Sequence, residues 1–176
     1  TSAAATTSSR PRARTEWEHK FGKRGAVTVA LFYDQVEDGL DFVPRAVCVN
    51  PIGASLATCS LANQRTYDAP GNVGDGTRTG VEVRGALPLA PFIENAEIRF
   101  SGLYQETQVD DPQTGESRRF SGERAWTYNV SYRQELPEWK TAWGAIAKGV
   151  SDRAEYKYLE TLDFDRPGTN LELFAE

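Results

Sequence analysis

The feature that most constrains this chain is an alternation of apolar and polar side chains with a period of two residues. It begins near Arg14 and recurs in almost every segment that follows. In RAWTYNVSYRQEL, aromatic or apolar side chains occupy the even positions of 126–132, and polar side chains occupy the odd positions between them. Since successive side chains of a β-strand point to opposite faces, this pattern predicts strands with one apolar face and one polar face.

Turn residues divide the alternating pattern into about eight segments. Glycine- or proline-containing stretches such as GKRG, LAPFIE, PEW and DRPG separate consecutive segments, which is typical of tight connections between antiparallel strands. The sequence therefore predicts an all-β fold, an antiparallel up-and-down meander of about eight strands. Residues 1–13 contain few large apolar side chains and are predicted to be a disordered or irregular lead.

The predicted connections alternate between short and long. Turns after the first, third, fifth and seventh strands are short, whereas residues 37–76 and 110–124 form long polar loops after the second and fourth. Long loops confined to one end of a meander are typical of bacterial outer-membrane barrels, in which periplasmic turns are short and extracellular loops are long. We therefore expect residues 14–176 to form part of a transmembrane β-barrel with extracellular loops at 37–76 and 110–124.

The distribution of charges favours the same architecture. Charged side chains recur on the face opposite the apolar one, as a hydrated barrel interior requires, whereas a soluble sandwich does not need such rows. Aromatic side chains lie near predicted strand ends, where barrels carry interfacial girdles; they are Phe32, Tyr33, Tyr104, Trp126, Trp139 and Trp143. Ordinary core aromatics of a soluble β-protein remain the alternative explanation.

Composition and motifs exclude several classes of function. No apolar run approaches the length of a membrane-spanning helix. The formal net charge is −5 and the basic residues are scattered, so we expect no nucleic-acid partner. The sequence shows no nucleophile motif, phosphate-binding loop or metal-ligand spacing, and we therefore predict neither an enzyme nor a cofactor or metal site.

Two cysteines, Cys48 and Cys59, lie within the loop-like stretch CVNPIGASLATC. A pair this close in sequence and flanked by loop residues fits a disulfide formed in an oxidising compartment. Two unrelated free thiols are the alternative.

Three further features have more than one interpretation. Asp110 and Asp111 precede a proline and offer oxygens to a cation, although acidic residues here more often form turns. His19 alternates with aromatic residues and fits a strand surface better than a metal site. Arg118 and Arg119 are candidates for contact with an anionic ligand at a loop, or else solvated charges.

Three stretches together resemble consecutive hairpins in the C-terminal half of TonB-dependent receptors, which are outer-membrane β-barrel transporters of Gram-negative bacteria. They are FGKRGAVTVALFYDQVEDGLDFVP, YDAPGNVGDGTRTGVEV and FSGERAWTYNVSYRQELPEWKTAWG. In that family an Asn-x-Gly…Gly-Val-Glu arrangement enters a strand after a long extracellular loop. Here the arrangement comprises Asn72, Gly74, Gly80, Val81 and Glu82.

The resemblance implies a location, a function and partners. The location is the bacterial outer membrane, and the function is TonB-dependent uptake of a large scarce nutrient such as an iron-siderophore, a cobalamin or an oligosaccharide. The implied partners are outer-membrane lipid, the TonB complex, an unidentified small-molecule ligand, and the plug and remaining barrel of a receptor. The chain matches neither the plug nor the energy-coupling box of the family, so we expect a barrel segment. A small self-closed barrel and a soluble or surface-exposed β-rich ligand-binding module are the alternatives.

Overall fold

The computed structural model describes residues 8–22, 24–90, 92–112, 114–157, 161–164 and 168–176. Two antiparallel sheets account for ten strands among these residues. The strands are β1 (Ser8–Phe21), β2 (Gly25–Cys48), β3 (Gln64–Pro88), β4 (Ala96–Asp110), β5 (Ser117–Arg118), β6 (Trp126–Leu136), β7 (Thr141–Val150), β8 (Arg153–Tyr156), β9 (Thr161–Phe164) and β10 (Asn170–Ala175).

The main sheet is an up-and-down meander. Its strands follow the order β1-β2-β3-β4-β6-β7-β10, each antiparallel to its neighbour, and the two-residue β5 pairs with the end of β4. The predicted all-β antiparallel meander is thus confirmed. Membership of a closed barrel stays a prediction, because neither β1 nor β10 pairs with a further strand among the described residues.

The predicted seventh strand, AEYKYLETLDF, differs from the structure. Its two ends form β8 and β9, which pair only with each other in a separate two-stranded sheet. The place beside β7 is taken by β10, in which leucines at 171 and 173 continue the apolar row of β7. The predicted DRPG turn lies largely outside the described residues.

All long connections of the main sheet leave from one end, which we call the upper end. Residues 49–63 join β2 to β3, residues 111–125 join β4 to β6, and residues 151–169 join β7 to β10. At the lower end the connections are short and comprise residues 22–24, 89–95 and 137–140. The sequence indicates long connections only after the second and fourth strands, and the structure adds a third long connection after β7.

The segment 37–76, expected as a loop, consists largely of extended strand. Beyond the last pairing of β3 with β4, at Gly76 and Val109, residues 39–48 and 64–74 continue as a two-stranded ribbon, which we call the arm. At about 3.3 Å per residue the arm is roughly 30 Å long. β1 likewise starts at Ser8, within the segment 1–13 expected to be irregular, because its backbone pairs with β2 up to Glu37.

The registers assign every side chain of the main sheet to one of two faces. Leu31 is level with Thr15 on β1 and with Val81 on β3, and Val81 is level with Tyr104 on β4. This face, the apolar face, carries Thr15, Trp17, His19, Phe21, Val27, Val29, Leu31, Tyr33, Thr79, Val81, Val83, Ile98, Phe100, Tyr104, Trp126, Tyr128, Val130, Tyr132, Trp143, Ala145, Ala147, Leu171 and Leu173. The opposite face, the polar face, contains most of the charged residues of the same strands, whereas Glu106, level with Thr79, lies at the upper end of the apolar face.

The pattern of burial is the opposite of that in a sheet of a soluble protein, because the apolar face is exposed and part of the polar face is buried. Large side chains of the apolar face are exposed, including Trp17 and Leu31 at 57% each and Leu173 at 74%. On the polar face of β2, by contrast, Thr28, Ala30 and Asp34 are buried. A contiguous exposed apolar surface across seven strands exceeds what soluble monomers ordinarily show.

Candidate functional site

The polar face forms an open trough of about 800 Å³ that runs across six strands. Its walls carry side chains from β1 to β7. They include Arg14, Phe32, Asp34, Arg78, Glu82, Ser101, Leu103, Gln105, Thr127, Asn129 and Lys148. Because residues of six strands, most of them on the polar face, surround one space, the main sheet curves toward its polar side.

Ion pairs at the β1 side of the trough pass over β2. Arg14 Nη2 donates to Glu82 Oε2 at 2.8 Å, and Arg84 Nη2 lies 3.4 Å from Glu16 Oε1. β2 separates these strands, and Ala30 is level with both Glu16 and Glu82. The small side chain of Ala30, only 2% exposed, leaves room for arginines to reach across it.

A second charged group lies toward the upper end of the trough. The guanidinium of Arg78 donates through Nε and Nη2 to Asp34 Oδ2, at 3.1 and 2.7 Å. It also lies over the Phe32 ring, 5.6 Å from the ring centroid. Phe32 therefore belongs to the trough and not to the predicted aromatic girdle, and it packs where Gly80 has no side chain.

The connection 111–125 folds over the upper end of the polar face. Phe120 is its anchor, packing with Val36, Val73 and Val109 in the hydrophobic core cluster of the described residues. A Cβ added at Gly39 or Gly76 would lie 2.6 Å from the Phe120 ring, so both glycines are needed for its position. We call this segment with its anchor the cap loop.

Arg118 holds the cap loop to the arm. Its Nη1 donates to Asp41 Oδ2 at 2.6 Å and its Nε to Asp111 Oδ2 at 2.8 Å, while its guanidinium lies 5.0 Å from the Tyr156 ring centroid. Burial by itself lowers the pKa of Arg118, but the hydrogen bonds to both aspartates outweigh it and raise that pKa above its ordinary value. The guanidinium thus stays charged throughout the accessible pH range.

This placement separates the two predicted ligand-facing arginines. The side chain of Arg118 is only 10% exposed and is committed to ion pairs within the chain. Arg119 is exposed. Of the two, only Arg119 is presented to solvent at this loop.

The residues of the Asn-x-Gly…Gly-Val-Glu arrangement perform distinct structural tasks. Asn72 Oδ1 accepts a hydrogen bond from the Gly74 amide at 2.6 Å, and its Nδ2 donates to Asp38 Oδ1 at 2.6 Å. These contacts surround a β-bulge at which the β2–β3 register shifts, with Gly74 at φ 94° and Asp38 at φ 52°. Further along β3, Val81 faces the apolar side and Glu82 the trough.

The arm ends in a tip closed by a disulfide. Cys48 and Cys59 are bonded, with a Cα–Cα distance of 5.8 Å, and no free cysteine is found among the described residues. Asn63 Nδ2 donates to the Asn50 carbonyl, and Gln64 Nε2 donates to the Cys59 carbonyl, so the tip is also held by side chains. Ile52, Leu56 and Leu61 are exposed at this tip.

Asp111 and His19, the candidate ligands of a cation or metal, both make contacts within the fold. Asp111 Oδ1 accepts the Thr114 amide, as expected of a turn former. No cluster suited to hold a metal ion occurs in the described part of the chain. His19 lies on the apolar face between Trp17 and Phe21, with ring centroid distances of 5.7 and 4.5 Å.

Two residues that organise this region were not singled out from the sequence. Asp41 contacts Arg118, from which it is 77 residues distant in sequence, so no local pattern connects them. Phe120 had a local signal, because it is a large aromatic within the polar stretch 110–124.

Comparison of the chain with models of protein families, with curated proteins and with solved structures found no match. Within the described residues, the structure holds no helix whose length and apolar character would allow it to cross a membrane.

Proposed function

We propose that this chain forms part of the wall of a TonB-dependent outer-membrane transporter that takes up a large scarce nutrient. The observation that carries the proposal is the apolar face, on which the described residues of seven consecutive strands present no Asp, Glu, Lys or Arg below the level of Tyr33 and Glu106. A lipid environment stabilises such a surface, whereas water does not.

Aromatic side chains mark both borders of the apolar face. Toward the upper end lie Tyr33, Tyr104 and Trp126, and toward the lower end lie Phe21 and Trp143. From Trp126 to the position level with Trp143, β6 runs for about nine residues, the length with which a tilted barrel strand crosses a bilayer. Two aromatic borders at this separation match interfacial girdles.

The polar face suits the inside of a barrel. Its charges are paired across strands, as in Arg14–Glu82 and Lys148–Glu172, and the trough on this face has room for water or a covering domain. The long connections on one end and the short turns on the other fit an extracellular and a periplasmic side. The class of nutrient rests on the family resemblance alone.

The number of strands argues against a small barrel closed by this chain itself. In the meander of seven antiparallel strands that the described residues form, β1 and β10 run in the same direction. Pairing them would create a parallel junction, whereas bacterial barrels of this type are antiparallel throughout. An odd number of further strands between β1 and β10 would restore the alternation, which supports a segment of a larger barrel.

A lipid-borne quencher tests the orientation of the two faces. Fluorescent probes are attached at Val130→Cys and, as matched control, at Asn129→Cys, in the intact protein reconstituted into a bilayer. We expect quenching at position 130 and little at 129, because adjacent side chains point to opposite faces. Equal quenching at both positions, or at neither, would contradict the barrel and favour a soluble β-rich ligand-binding module.

Arginine substitutions at the same two positions measure the energy of that orientation. Val130→Arg is expected to lower the free energy of unfolding in a bilayer by about 2–4 kcal/mol, because the charge would face hydrocarbon. Asn129→Arg is expected to cost little, since it enters a hydrated trough. Equal costs in a denaturant titration of the reconstituted protein would count against the assignment.

A further inference from the structure

The distal part of the arm differs in charge from the rest of the molecule. Residues 42–67 contain two arginines and neither Asp nor Glu, in a chain whose net charge is −5. Asp41 and Asp68, which flank the segment, both have interaction partners in the structure. The distal arm is therefore a basic element on an acidic chain.

Both arginines lie on one face of the ribbon. Arg45 is level with Tyr67, and Val47 is level with Arg65. Because positions 45 and 47 of one strand point to the same side, these four residues form one patch, in which Arg45, Arg65 and Tyr67 are exposed. Two cations thus frame an aromatic ring and a β-branched side chain.

The tip extends this patch with aliphatic surface. Val49 and Ile52 form an isolated bridge directly beyond Cys48, and Ile52 is 91% exposed. Leu61, in the 3₁₀ turn Leu61–Asn63 that precedes β3, is also exposed. The disulfide and the hydrogen bonds from Asn63 and Gln64 fix the backbone that displays these side chains, which lowers the entropy lost when a partner binds.

We infer that this surface, comprising Arg45, Val47, Arg65, Tyr67 and the aliphatic tip, docks a protein that presents apolar side chains next to carboxylates. Tyrosine and arginine are the residues that most often dominate the energetics of protein interfaces. Arg45, Arg65 and Tyr67 are exposed, whereas small-molecule sites are concave and bury most of their ligand. Charge complementarity then selects an acidic surface over a basic or neutral one.

The position of the patch decides between a protein and a lipid surface. From Tyr33, at the upper border of the apolar face, to Cys48 the strand runs roughly 50 Å. The patch is thereby held away from the bilayer that the apolar face would occupy. The choice of a protein over a lipid surface rests on the proposed function, whereas the acidity of the partner rests on the patch alone.

A displayed library of random twelve-residue peptides, selected on the purified intact protein in detergent, tests the inference. We expect the selected peptides to be enriched in Asp and Glu together with Leu, Ile or Phe. Their affinity, measured with synthetic peptides, should fall at least about tenfold for Arg45→Glu/Arg65→Glu. The matched control Arg24→Glu/Lys140→Glu makes the same change in charge at exposed basic residues of the short lower connections and should leave affinity unchanged.

Charge exchange makes the test specific. Peptides in which the acids are replaced by lysine should bind Arg45→Glu/Arg65→Glu better than they bind the unaltered protein. Selection of peptides without acidic residues, or equal loss in both double variants, would overturn the inference.

Vesicles containing about one third phosphatidylglycerol provide the lipid comparison, with pure phosphatidylcholine as the control. Binding through the patch to the anionic vesicles, with no acidic peptide selected, would identify a lipid surface and overturn the protein partner. The peptide readout needs no membrane insertion, so its outcome is independent of the quenching experiment.

Discussion

Phe120 is buried because two glycines leave space for its ring. Gly39 lies on β2 and Gly76 on β3, and any side chain at either position would overlap the ring. Local sequence marks Phe120 as unusual, but the notch that receives it arises only when β2 and β3 pair across the bulge near Asp38. Local sequence does not predict this pairing, because Gly39 and Gly76 lie 37 residues apart in the chain.

Replacing Phe120 by alanine is expected to open the cap loop while leaving the main sheet intact. Loss of a core aromatic costs about 3 kcal/mol, which corresponds to a fall of about 100-fold in hydrogen-exchange protection. The amides of Ser121 and Gly122, which donate to Asp41 and to the Ala154 carbonyl, report this change. Phe92→Ala, at a 90% exposed turn residue, is the control and should leave both amides protected.

Among the elements, the strands that show simple alternation were predictable and those with irregular composition were not. The alternation of β6 and β7 follows from one apolar and one polar face, and the structure reproduces it residue by residue. The arm contains Pro44, Pro70 and several glycines, which weaken a strand pattern. Its pairing continues because β2 and β3 form one long hairpin whose ends are joined by the tip.

The same limit explains β8 and β9. The stretch AEYKYLETLDF alternates like a sheet strand, but its first residues meet the cap loop, where Ser121 Oγ accepts the Tyr156 amide and the Gly122 amide donates to Ala154. These contacts lie between segments more than thirty residues apart in sequence. Contacts with the cap loop therefore hold this segment outside the main sheet, although its sequence alternates like that of a sheet strand.

Removing the disulfide tests how the arm is stabilised. A two-stranded ribbon is marginal by itself, and closing a loop of eleven residues contributes about 2–3 kcal/mol in chain-entropy terms. In Cys48→Ser/Cys59→Ser we expect faster hydrogen exchange in residues 44–48 and 64–68, and unchanged exchange in β6 and β7. Uniform loss of protection across the sheet, or no loss in the arm, would show that the bond does not act locally.

For the whole molecule, the two outer edges decide whether the sheet is completed by other strands. Alternate amides of an antiparallel edge strand point away from its partner. In the intact protein in a bilayer, we expect the outward amides of residues 14–20 in β1 to be protected from exchange, because further strands pair with them. Fast exchange at these amides, with slow exchange at the inward ones bonded to β2, would contradict completion of the barrel.

The bulge at the base of the arm has a geometric consequence for whatever the tip meets. With an arm of roughly 30 Å, a change of about 10° in direction at Asp38 and Gly74 would displace the tip by about 5 Å. The direction of the arm is therefore set by the hydrogen bonds around Asn72 together with the ion pair of Asp41 and Arg118, all far from the tip itself. Substitutions at Asp38, Asn72 or Gly74 would therefore move the tip by several ångströms without altering any side chain that the tip displays.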